Sequence, residues 1–114
     1  MVAAESRSQR ERRVDVLFYV AHKYGGVPEN YEAAKKIVHD LQVNDLENTY
    51  ICPLLALSHL KYNEIGFDAE INLCLDILSQ CDTLIVASPV SMGVQAEIDF
   101  ANKVNMEIRY LNEN

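Results

Sequence analysis

A chain of 114 residues, 49% of them hydrophobic, suits one domain with a single core. Its apolar runs are too short to span a bilayer, its first residues do not read as a signal peptide, and its three cysteines lack framework spacing, which points to a reducing cytoplasm. The net charge of −7 is uneven: Arg7, Arg10, Arg12 and Arg13 against Glu5 and Glu11 give the first thirteen residues +2, so an acidic body of −9 follows, which excludes a nucleic-acid polymer as partner.

Residues 1–13 are polar and aperiodic and read as a frayed, solvated leader; residues 14–114 form the domain. Val14 to Ala21 is β-branched and aromatic, bounded by charge before and glycines after, and predicts a buried central strand carrying Val16 and Phe18 inward. Gly25-Gly26 break the chain, Pro28 suits a first helical turn, and Ala34, Ile37, Val38 and Leu41 recur at helical spacing. Thr49 to Cys52 predicts a short second strand stopped by Pro53. Leu54 to Leu60 is apolar without clear period and reads as a short helix or a lid. Phe67, Ile71, Cys74 and Leu78 fall on one helical stripe; Cys81-Asp82 then leads into a third strand, Thr83 to Ala87, with Val86 inside. Val94, Ile98 and Ala101 give a further helical stripe, and Glu107 to Leu111 alternates like a partly exposed terminal strand.

Strands and helices alternating this regularly predict an α/β fold, a flavodoxin/Rossmann-like three-layer sandwich around a mostly parallel sheet of four or five strands. In such folds ligands bind outside the carboxyl ends of the strands, where strand order reverses. The Gly25-Gly26 loop and the Ser91 turn both follow strands, so both are predicted on that edge.

The second of these carries the densest chemistry. Ser91 suits an N-cap, Gly93 lets an anion approach backbone N–H groups, and Glu97 lies four residues on, on the same face and leaning towards the helix start. Glu97 is thereby placed at a crevice and not in the core, its ionised form favoured by the helix dipole. The competing reading is an ordinary solvent-facing helix acid. Ser91 with Gly93, and Gly25 with Gly26, read either as anion contacts or simply as a cap and a turn. His22, at the end of the first strand, suits acid–base work or a backbone hydrogen bond. His59 and Tyr62 are surface loop residues or a cover for a base or sugar. Asp82 reads as a strand-start residue holding loop backbone, with ligand binding as the alternative, and the cysteines read as core packing.

The pattern Ser91-x-Gly93-Val94-x-x-Glu97-x-x-x-Ala101 resembles the signature of the nucleoside 2-deoxyribosyltransferase superfamily, above all its 2'-deoxynucleoside 5'-phosphate N-hydrolase branch. Val20-Ala21-His22-Lys23-Tyr24-Gly25-Gly26 is similar to that superfamily's first strand and glycine-rich loop, and small bacterial and phage domains share both segments, with an Asn after the loop as at Asn30. The resemblance implies cleavage or transfer at the N-glycosidic bond of a deoxynucleoside or its monophosphate, with Glu97 as nucleophile towards the anomeric carbon. It implies ligand contacts at Tyr24, Gly25, Gly26, Ser91 and Gly93, no metal or other cofactor, and a homodimer or higher homo-oligomer whose pockets a neighbouring subunit completes. Tyr24 stands where those hydrolases carry an Arg. Their proton-donating Asp falls, by ungapped register, on Cys74; Glu70, one turn earlier on the same face, and His22 are the candidate replacements. The alternative function is a non-catalytic nucleotide or sugar-phosphate binding module of the same fold.

Overall fold

A computed structural model describes residues 15–111; the polar leader expected over 1–13 lies outside the described residues, as does Val14. The chain runs β1 (Leu17–Ala21), α1 (Pro28–Val43), β2 (Thr49–Ile51), α2 (Pro53–Ala56), α3 (Tyr62–Ile65), α4 (Phe67–Leu78), β3 (Thr83–Val86), α5 (Met92–Lys103) and β4 (Glu107–Tyr110). All strand pairs are parallel and the order is β2-β1-β3-β4, a flavodoxin/Rossmann-like three-layer α/β fold.

The period of two along the strands sorts the core into two halves. Tyr19 and Ala21 of β1 with Leu84 and Val86 of β3 meet Leu78 of α4 and Val94, Ile98 and Ala101 of α5 on one face. Val20, Cys52 and Ala87 meet Ala34, with Ile37, Val38 and Leu41 of α1 behind it, on the other. The helical stripes read from the sequence are therefore the packing faces. Phe18 and Val86 are buried as expected, whereas Val16 is only half-buried, because β1 begins at Leu17. Two side chains end the strand there: Asn48 Oδ1 takes the Val16 amide at 2.7 Å and Asp82 Oδ2 takes the Leu17 amide at 2.8 Å.

The apolar stretch after β2 folds as a single helical turn opened by Pro53, whose missing N–H costs nothing at that position, followed by turns to Leu60. Glycine is needed at Gly25 and Gly26, where φ is 59° and 75°. A Cβ at either would meet nothing within 4 Å, so the requirement there is the backbone turn and not a close approach. Asn30, in the first turn of α1, donates from Nδ2 to the Tyr24 carbonyl at 3.0 Å and so pins this loop. Among the described residues no helix is long and apolar enough to cross a membrane.

Candidate functional site

The strand order places β1 and β3 side by side, with connections departing from β1 towards β2 and from β3 towards β4, so the crevice opens at their carboxyl ends. The two loops there are tied together: Ala87 N–H donates to the Ala21 carbonyl at 2.8 Å and Lys23 N–H to Ser88 Oγ at 2.9 Å. Ser91 then caps α5, its Oγ accepting from the Val94 amide at 3.3 Å.

A cavity of about 190 Å³ lies in this crevice, and Glu97, His22, Glu70, Tyr24, Gly25, Ser91 and Gly93 all line it. Gly26 does not. Asp82 is not brought there either: it precedes β3, at the amino edge of the sheet, where its carboxylate and its own N–H grip Leu17. These bonds match the backbone-holding reading. His59 is exposed and lines no described cavity, and the Tyr62 side chain lies outside the described part of the structure. Gly93 has only Ile71 Cδ1 within reach of an added Cβ, at an ordinary 3.5 Å, so packing does not demand glycine there.

Glu97 lines the cavity but is only 7% exposed, which corrects its placement outside the core. Tyr19, wholly buried on β1, donates its hydroxyl to Glu97 Oε2. Burial pushes the Glu97 carboxyl up to about 7, and the Tyr19 bond pulls it part of the way back. The helix dipole does not set this balance, because Glu97 is the sixth residue of α5 and the dipole fades within the first turn. Burial and the negative Glu97 beside it hold the Tyr19 phenol far above its ordinary value, so it stays a donor.

Cys74 lines the same cavity. Burial and the Glu97 charge push its thiol up to about 12, against a hydrogen bond with Tyr19 that acts the other way. It is a protonated thiol beside the carboxylate. His22 is half-buried, with Nδ1 2.8 Å from the Lys23 carbonyl. A carbonyl only accepts, so Nδ1 carries a proton and donates it to that oxygen.

Tyr19 is the partner of Glu97 that sequence reasoning treats as mere strand. The signal was a tyrosine inside an otherwise apolar run, since a buried phenol needs a partner. A second cavity, of about 340 Å³, shares Tyr24, Leu54 and Glu70 with the first and adds Tyr31, Glu32 and Leu57. Among the described residues no cluster of three His, Cys, Asp or Glu side chains is arranged to hold a metal ion. Comparison of the chain with models of known protein families, and with curated proteins, gives no match.

Proposed function

We propose that the protein cleaves or transfers at the N-glycosidic bond of a deoxynucleoside, with Glu97 as the nucleophile. The observation that carries this reading is a buried carboxylate, hydrogen-bonded by Tyr19, facing a cavity at the β1–β3 crevice. Glu97 attacks the anomeric carbon as the bond to the base breaks. Tyr19 holds the carboxylate oriented, and water or an acceptor base then resolves the glycosyl ester. Glu70 and His22, on the cavity wall, are the groups available to protonate the departing base. The resemblance at Ser91–Ala101 supports the same chemistry. No Lys or Arg is among the described residues lining either cavity, which favours an unphosphorylated sugar over a monophosphate.

The setting of this reading is a reducing cytoplasm and a homo-oligomer. Cys52, Cys74 and Cys81 are all free thiols. Phe67 and Met92 line the cavity yet stay 39% and 76% exposed, which suits a mouth closed by a neighbouring subunit.

The second reading, a binding module without turnover, draws on Cys74, which occupies the register of the expected acid and holds its proton too tightly to deliver it. Release of free base from a panel of deoxynucleosides, with Glu97→Gln alongside, separates the two. Turnover lost in the variant supports the glycosidase. Binding with no release by the wild type supports the module.

A further inference from the structure

We infer that the second cavity receives the leaving group, and that it selects a positively charged nitrogen heterocycle over a neutral base. The inference rests on the glycosidase reading and adds the class of substrate. The first cavity, of about 190 Å³, holds Glu97 and so takes the sugar. The second, about 340 Å³, adjoins it across Tyr24, Leu54 and Glu70 and is the space into which a ring on the anomeric carbon extends.

Its walls favour a cation. Tyr24 and Tyr31, with ring centroids 6.4 Å apart and planes tilted by 56°, line one side with aromatic surface. Glu32 and Glu70 line the same space, and among its described lining residues there is no Lys or Arg. Leu54, Leu57 and Leu60 supply an apolar remainder against which a flat ring packs.

The chemistry beside Glu97 agrees. A neutral base leaves with a proton, which an acid must deliver; the Cys74 thiol beside Glu97 holds its own, so that task falls to Glu70 or His22. A ring already carrying positive charge on the glycosidic nitrogen needs none. Glu97 forms the bond to the anomeric carbon, the breaking C–N pair returns to the ring nitrogen, and the heterocycle departs neutral. Water then cleaves the glycosyl ester, giving the free sugar, regenerating the Glu97 carboxylate and releasing one proton.

The test compares the 2'-deoxyriboside of 3-carbamoylpyridinium with 2'-deoxyadenosine, 2'-deoxycytidine and thymidine, as rates above the spontaneous ones. Binding is measured in parallel with the uncharged 3-carbamoylphenyl C-deoxyriboside, which has the same shape. The expected result is kcat/KM roughly tenfold or more in favour of the pyridinium, eroded several-fold by Glu32→Gln and by Glu70→Gln. Neutral nucleosides cleaved as well or better would overturn the charge selectivity and leave the glycosidase standing. A pyridinium preference untouched by both variants would overturn the assignment to this cavity. If nothing is cleaved, the glycosidase reading fails, and calorimetry still decides the cavity. Tighter binding of the cation than of its uncharged isostere supports the selectivity, and equal or weaker binding overturns it.

Discussion

Tyr19 and Glu97 lie 78 residues apart in the chain, yet the tyrosine hydroxyl donates to the carboxylate in the interior between β1 and α5. One partner is held as a donor, and the other titrates near neutrality because burial resists its charge. The pair couples the stability of the fold to the state of the candidate nucleophile.

Stability should therefore fall as pH rises. The folded state holds the Glu97 proton up to about pH 7, whereas the ordinary carboxyl value is 4.5, so between these limits the native state binds more protons than the unfolded one. The contribution is fully present below the unfolded value and is lost as pH rises through the folded one, amounting to about 3 kcal/mol at most. Glu97→Gln removes the charge and keeps an acceptor for Tyr19. Its Tm should exceed that of the wild type at pH 8 by several degrees, with little difference at pH 5. Equal Tm values at pH 8 would show that Glu97 ionises without cost.

Glycosidic turnover should follow the same proton. A nucleophile must be ionised, so kcat/KM should rise with pH through an inflection near 7. Tyr19→Phe deletes the donor that lowers the Glu97 value, so the inflection should move to higher pH. The fold should lose about 1–3 kcal/mol from a buried carboxylate left short of a partner. A pH–rate profile unmoved by the substitution would separate Tyr19 from the titration of Glu97.

Asp82 gives a control at the opposite edge of the sheet. Its carboxylate takes the Leu17 amide at 2.8 Å, so Asp82→Ala should cost about 1 kcal/mol and lower Tm by a few degrees. KM and kcat at a temperature where both proteins are folded should stay within twofold. A large change in KM alone would return Asp82 to the ligand.

Most of the framework is legible in the chain because its signals are local. Ala34 to Leu41 and Val94 to Ala101 keep helical spacing and pack as that spacing requires, and Ser91 caps the helix it precedes. What is not legible depends on distant partners. At the start of β1, Asn48 and Asp82, from loops far along the chain, take the amides of Val16 and Leu17. Glu97 carries the spacing of a crevice residue, and its burial and its bond to Tyr19 follow from the folded packing. The second cavity joins the loop after β1 to the irregular stretch after β2, whose aperiodic Leu54 to Leu60 gave no local pattern to read.

Cys74→Asp should supply a second acid, directly beside Glu97. The position lines the cavity with Glu97, and its thiol is hydrogen-bonded with Tyr19. Burial and a neighbouring carboxylate raise the affinity of the new side chain for its proton, as they already do for the thiol, so a fraction remains protonated near neutral pH. Release of base from 2'-deoxyadenosine or thymidine should then increase by about tenfold or more, the lower bound set below the roughly 10²–10⁴-fold of a well-positioned acid. Cleavage of the pyridinium deoxyriboside should hardly change, because that ring leaves without a proton. A second buried acid also steepens the loss of stability with rising pH, so Tm should fall most above neutrality. A variant that shows the Tm shift but no gain on neutral nucleosides would place the limiting step elsewhere than in protonation of the leaving group.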